Sequence, residues 1–82
     1  MIMSKIEIQV FAVLKDYFKP TFKLTTSISS LEELKIELTK LNPASATVLH
    51  ACRFAVNENF VSKDYKLKEN DKVSIIPPSS GG

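Results

Sequence analysis

The chain has 82 residues, 44% of them apolar and 24% charged, with 11 basic and 9 acidic side chains for a net charge of +2. That describes one domain with enough apolar material for a core, and it excludes wholesale disorder. The longest apolar run, Val10-Phe11-Ala12-Val13-Leu14, falls far short of the ~20 residues a membrane-spanning helix needs. The lysines alternate with acids and form no stripe along the sequence, whereas a sequence-independent grip on nucleic acid needs a concentrated basic face. Neither a membrane nor a nucleic acid is therefore expected as a partner. The single cysteine permits no internal disulfide, which fits a reducing compartment. Met1-Ile2-Met3-Ser4-Lys5 carries no long apolar stretch of the signal-peptide kind, so a cytoplasmic location is expected.

Residues 5–10 alternate strictly, with Ile6, Ile8 and Val10 pointing one way and Lys5, Glu7 and Gln9 the other. This predicts a strand with one wet face. Residues 11–14 are apolar on both faces, so that end is expected to be covered. Residues 16–20 read as a loop, stopped by Pro20. Residues 21–25 alternate again, with Phe22 and Leu24 inward and the β-branched Thr21 and Thr25 suited to a strand. The two strands make a hairpin with a loop of several residues.

A helix follows. Ser30 with Glu33, or Ser29 with Glu32, forms a capping box. Leu31, Leu34, Leu38 and Leu41 recur at spacings of three and four and give one apolar stripe. Lys40 suits the negative end of the helix dipole, and Asn42 before Pro43 stops the helix, because a residue preceding proline avoids the helical region. Residues 43–52 could form a short second helix with Val48, Leu49 and Cys52 inward. Residues 53–56 read as a strand, Asn57-Glu58-Asn59 as a turn, and Phe60-Val61 as a short return. Residues 65–67 read as a brief extended or 3₁₀ segment. Lys68-Glu69-Asn70-Asp71 is a turn in which Asn70 is the candidate for positive φ. Residues 72–76 are the last strand, with Val73 and Ile75 on one face.

The order is β-β-α-β-β, with one main helix on one side of a mixed sheet. The first and last strands are the most apolar and are placed side by side at the sheet centre. This is an α+β fold of the β-grasp type. Residues 1–76 form that domain, and residues 77–82 an extended arm.

The chemistry-bearing residues are few. His50 and Cys52 are the only histidine and cysteine, and two residues apart on a helix they face different directions. No acid or second histidine stands at ligand spacing to them, so no metal site is expected. No catalytic triad or phosphate-cradling glycine loop can be read. Cys52 reads as a small core side chain and His50 as a surface or loop residue. The glycines are different, since both of them are residues 81 and 82. The predicted turns would gain from glycine and do without it. Gly-Gly without side chains can thread a narrow tunnel, and a carboxylate on Gly82 is open to activation. Pro77-Pro78 is stiff and extended, and six extended residues reach about 20 Å. Residues after Pro78 have no apolar side chain to bury, and mobility is expected there in the free protein.

Four stretches resemble the small subunit of molybdopterin synthase, a ubiquitin-like sulfur carrier. Phe11-Ala12-Val13-Leu14 resembles its Phe-Ala-x-Leu signature. Ala55-Val56-Asn57 followed by Val61 resembles its Ala-Val-Asn-x-x-x-Val strand and turn. Leu67, Asp71 and Val73 fit its Leu-x-Asp-Gly-Asp-Glu-Val turn. Ile76-Pro77-Pro78-Ser79-Ser80-Gly81-Gly82 resembles its apolar-Pro-Pro-x-x-Gly-Gly ending. Lys15 stands where the family often has Arg, Asn70 replaces the turn glycine, Glu69 and Lys72 replace Asp and Glu, and Ile76 replaces a common aromatic.

The resemblance implies a sulfur carrier for molybdenum cofactor biosynthesis. An activating enzyme related to ubiquitin-activating enzymes uses ATP to adenylate Gly82, and a sulfur donor converts the adenylate to a thiocarboxylate. The arm then enters the large subunit and gives its sulfur to a cyclic pyranopterin phosphate precursor. The chain is thus no enzyme on its own and binds no cofactor; ATP belongs to the activating enzyme. Gly82 and Gly81 carry the chemistry. Phe11, Lys15 and Ile76 flank the arm as docking residues, and Pro77, Pro78, Ser79 and Ser80 are the arm that the large subunit takes, in a heterotetramer. Other readings are a carrier for thiamine or tRNA thiolation, a ubiquitin-like protein modifier, and a plain interaction domain.

Overall fold

The computed structural model describes residues 3–62 and 64–78. One sheet holds the strands β1 (Ser4–Val10), β2 (Thr21–Thr26), β3 (Arg53–Val56), β4 (Asn59–Phe60) and β5 (Lys72–Ile76) in the order β2-β1-β5-β3-β4. β1 and β5 run parallel at its centre, with Glu7 beside Lys72 and Val10 beside Ile75. The pairs β1–β2, β3–β4 and β3–β5 are antiparallel. This is the expected β-grasp arrangement, and the two most apolar strands are indeed its centre.

The alternation explains which face is covered. Ile6, Ile8 and Val10 of β1 lie on the same face as Phe54, Val56, Val73 and Ile75 and are buried with them. Helix α1 (Leu31–Leu41) closes that face with Leu31, Leu34 and Leu38, each at most 1% exposed. Leu41, expected in the same stripe, is 59% exposed. It is the last residue of α1, next to the Asn42 cap that ends the helix. Helix α2 (Ala46–Ala51) confirms the second helix, with Leu49 fully buried and Val48 and Cys52 half-buried against the core. The full order is therefore richer than β-β-α-β-β by α2 and by the two-residue β4, both too short for periodicity to separate from loop.

The caps follow the side chains. The Ser30 hydroxyl accepts from the Glu33 N–H at 3.2 Å, which makes Ser30 the N-cap. The Glu33 carboxylate reaches one residue further back than a capping box predicts and accepts from the Ser29 N–H at 2.8 Å. That bond, ahead of one from the Ser29 hydroxyl, lowers the Glu33 pKa. Asn42 ends α1, donates from Nδ2 to the Tyr17 carbonyl, and accepts from the Ala44 N–H to start the next 3₁₀ turn.

Residues 11–14 depart from expectation. They do not continue β1 under cover. Phe11 is extended, Ala12 turns to φ 53°, and Ala12–Asp16 forms a 3₁₀ helix with only Leu14 buried. A five-residue run of apolar side chains allows either path, and the left-handed Ala12 turns the chain away from the strand direction.

Candidate functional site

The parallel register decides where the arm begins. Val10 pairs with Ile75, so the segments leaving β1 and β5 emerge side by side at the same end of the sheet. Phe11 and Val13 leave one strand and Pro77 and Pro78 the other. Ala12 and Val13 of the 3₁₀ helix, Val48 and Ala51 of α2, and Pro77 and Pro78 line a shallow cleft of about 230 Å³. Its walls are almost wholly apolar, and Phe11 and Val13 are 37% and 45% exposed. Apolar surface gathered at one place on a small domain makes this end a candidate contact site. Ala12, a residue with a Cβ at positive φ, stands in the middle of it. Such a conformation costs about 1–2 kcal/mol and persists because Leu14 is locked into the core beside it.

Each docking residue named from the sequence is accounted for. Phe11 faces outward and is not core. Lys15 is exposed in the last turn of the 3₁₀ helix. Ile76 is half-buried on the open face of the sheet, opposite Arg53. Pro77 is half-buried and Pro78 exposed. These side chains lie around one end of the sheet. Ser79, Ser80, Gly81 and Gly82, and the mobility expected after Pro78, lie outside the described residues. Val48 and Ala51 were missed as cleft residues, because helical spacing in a six-residue helix does not show which neighbour it will meet.

The other two sequence signatures are a scaffold for the arm. Asn57 and Glu58 have φ of 51° and 75°, the signature of a two-residue type I′ turn joining β3 to β4. Asn57 accepts from the Lys72 N–H and donates from Nδ2 to Asp71 Oδ1, each at 3.1 Å. The buried Asp71 carboxylate also accepts from the Tyr65 hydroxyl at 3.0 Å and the Lys68 N–H at 2.9 Å. Its backbone carbonyl takes the Glu7 N–H of β1 at 2.9 Å. Asn70 holds φ 67°, as the sequence suggested, and its N–H bonds the Lys5 carbonyl. Burial first, then the bond to Asp71 and its charge, raise the Tyr65 phenol pKa. This network ties β1, the β3–β4 turn and the loop before β5 to the start of β5, and so aims the arm at its end.

Cys52 is no nucleophile at neutral pH. Its thiol donates to the Val48 carbonyl at 3.1 Å, and burial pushes its pKa up to about 11, with Lys35 pulling weakly the other way. His50 is exposed. Among the described residues no group of three or more His, Cys, Asp and Glu side chains could hold a metal ion, and no helix is long and apolar enough to cross a membrane.

Comparison with known proteins places this geometry. The sequence profile of the ThiS family matches residues 8–82. The chain is 42% identical over 53 residues to a molybdopterin synthase sulfur carrier subunit of Chlamydomonas reinhardtii, covering 62% of this chain and 64% of that one. It is 35% identical over 60 residues to the corresponding subunit of Dictyostelium discoideum, covering 71% and 65%. The matched stretches thus span slightly under two thirds of these relatives. Among solved structures, the small archaeal modifier protein 1 of Methanosarcina acetivorans superposes over the whole of both chains with a TM-score of 0.81 at 22% identity. Subunit 1 in the complex of subunits 1 and 2 of the molybdopterin-converting factor of Helicobacter pylori aligns with a TM-score of 0.69 at 24% identity, covering 95% of this chain and 99% of that one. At these identities the two structures bear on the fold alone, and they confirm its ubiquitin-like β-grasp form.

Proposed function

Because the chain belongs to the ThiS family, we propose that it is the sulfur carrier subunit of molybdopterin synthase, with the carboxylate of Gly82 as the carrier group. The identity with two curated molybdopterin synthase sulfur carrier subunits carries this reading. The exposed apolar cleft around the arm's origin supports it, because a carrier must present its arm from a surface another protein can hold.

The chemistry follows from the carboxylate. It is a poor electrophile, so one of its oxygens attacks the α-phosphorus of ATP on an adenylating enzyme, and pyrophosphate leaves. The resulting anhydride has AMP as a good leaving group. A donor supplying sulfur at the sulfide level attacks the acyl carbon through that sulfur, AMP departs, and Gly82 ends as a thiocarboxylate. The arm then enters the large subunit, where the thiocarboxylate sulfur attacks the cyclic pyranopterin phosphate precursor in place of an oxygen substituent, and water then hydrolyses the resulting thioester, which leaves the sulfur on the precursor and returns Gly82 to its carboxylate. Two such transfers build a dithiolene. The chain supplies the sulfur-bearing terminus and the docking surface, and the groups that bind the precursor belong to the large subunit. That the Helicobacter pylori subunit was solved as a complex with its subunit 2 supports such a partner by analogy.

Intact-mass measurement of the protein purified from cells tests the reading. A fraction of the chains should show one oxygen replaced by sulfur at the C-terminus, and that fraction should vanish when the adenylating enzyme is deleted. A carrier pool that never shows sulfur in cells making the cofactor would sink it.

The docking surface makes a second expectation. Ile76→Asp puts a carboxylate at the root of the arm, on the open face. Binding to the large subunit should weaken by about tenfold or more, since the variant replaces an apolar contact with a carboxylate that must be desolvated on docking. The melting temperature should change little, because Ile76 is not in the core. Undiminished binding, or a domain that unfolds, contradicts the assignment.

A further inference from the structure

We infer that the cavity between the start of α1 and the uncovered end of β3 binds a small organic anion, one with an apolar body and a single carboxylate or phosphate head. The cavity exists because β4 is short. That strand pairs only with Ala55 and Val56, and the next residue, Val61, gives its N–H to the Phe54 carbonyl at 3.2 Å. Cys52 and Arg53 have no β4 residue across from them, and the space between them and α1 stays open. It measures about 260 Å³. Its residues are not those of the cleft at the arm's origin, for none is shared between the two.

The lining divides by chemistry. The floor is apolar, with Leu31 and Phe54 only 1% and 8% exposed and Cys52 and Val61 half-buried beside them. Burial keeps the Cys52 thiol protonated, so it adds no negative charge. Lys35 and Arg53 bring two cations, and no carboxylate lines the cavity. The Arg53 guanidinium lies 4.2 Å from the centre of the Phe60 ring, and the Lys35 ammonium 6.0 Å from that of Phe54. The rings hold both cations beside the floor before a ligand arrives, which lowers the entropy lost on binding. An apolar hollow with a few convergent polar groups is the usual form of a small-molecule site. The lining also selects among ligands. A neutral molecule would leave both cations unused, a bare anion would leave the floor wet, and a cation would be repelled. The volume lies below the roughly 300–1,000 Å³ of drug-sized ligands, which sets the size near that of benzoate or phenyl phosphate.

The inference does not depend on the carrier function. Amide NMR spectra of the full-length chain, titrated with sodium benzoate and with sodium phenyl phosphate at matched ionic strength, test it. Saturable shifts centred on Lys35, Cys52, Phe54 and Val61 are expected, with a Kd of about 1 mM for a ligand of about ten non-hydrogen atoms. Saturation by one probe alone supports the site and identifies the head group; saturation by neither overturns it. Benzamide keeps the ring without the charge, and inorganic phosphate keeps the charge without the body. Each should bind about tenfold or more weakly. Lys35→Met with Arg53→Met retains long apolar stems, so the chain should fold and lose about tenfold in affinity. Cys52→Leu keeps both cations and fills the floor, and it should abolish binding. It reads the same cavity should the double variant fail to fold. Equal affinity for benzamide refutes the anion, and equal affinity for inorganic phosphate refutes the apolar body. Shifts that persist unchanged in both variants refute the site.

Discussion

A chain shortened by Gly82 is expected to fold normally and to restore no cofactor synthesis to cells that lack the gene. On the proposed carrier reading the carboxylate of Gly82 must act at a contour length from β5 set by the number of residues between them, and one residue is worth about 3.5 Å of reach. Attack needs the reacting atoms about 3–3.5 Å apart, so a loss of one residue moves the group out of contact at both the adenylating enzyme and the large subunit. On the same reading extension by one residue should fail for the opposite reason, since it overshoots and places a side chain where the proposed partner takes glycine. Gly81→Val keeps the carboxylate and adds a β-branched side chain with restricted φ and ψ. None of the three touches Leu34, Ile8 or any other core residue, so unfolding curves should superpose on wild type. The measurement is complementation together with thermal unfolding. Full complementation by a variant tagged behind Gly82, shown by mass to remain uncleaved, would end the carrier hypothesis.

Asp71→Ala should lower the stability of the domain by about 2–4 kcal/mol, a large share of the 5–15 kcal/mol typical of a small domain. The carboxylate is 5% exposed and accepts from Lys68 N, Tyr65 Oη and Asn57 Nδ2. Alanine leaves those donors facing each other, and the Lys68 N–H and the Tyr65 hydroxyl must then find water in a half-buried place. At roughly 4–8 °C per kcal/mol for a domain of this size, the melting temperature should fall by more than about 8 °C. Asn57→Ala should cost less, because Asn57 itself is exposed, and the double variant should cost less than the two together, since they share one bond. Urea unfolding of the four proteins measures this, and an Asp71→Ala loss under about 0.5 kcal/mol would mean the network is not a structural tie. Because Asp71 sits immediately before β5, partial loosening there should also weaken docking of the arm, at the far end of the same strand.

The fate of the Phe11-Ala12-Val13-Leu14 signature shows what an apolar run leaves open. Four apolar residues in a row carry no period. Only the position of Leu14 in the core, with Ala12 at positive φ, turns Phe11 and Val13 outward and makes a cleft of what looks like a buried strand end. The neighbouring signatures behave differently. Asn57 and Asn70 are residues that tolerate positive φ, and both adopt it.

Alternation, capping and leucine spacing by themselves determined the strands, α1 and the covered face, because each is a local consequence of period two or period 3.6. The two glycines at residues 81 and 82, behind Pro77-Pro78, marked the arm, because a motif free of side chains is legible without any fold. Tertiary structure alone decided what surrounds that arm. The parallel pairing of β1 with β5 brings Ala12 and Val13 to the same cleft as Pro77 and Pro78, and α2 adds Val48 and Ala51 from 26 or more positions away in sequence. It also decided that Lys5, Lys23, Arg53 and Lys72 share one face. A strand fixes only which of its own side chains point together. Which strands become neighbours depends on long-range packing around the core, and that packing sets Lys5, Lys23, Arg53 and Lys72 on one face.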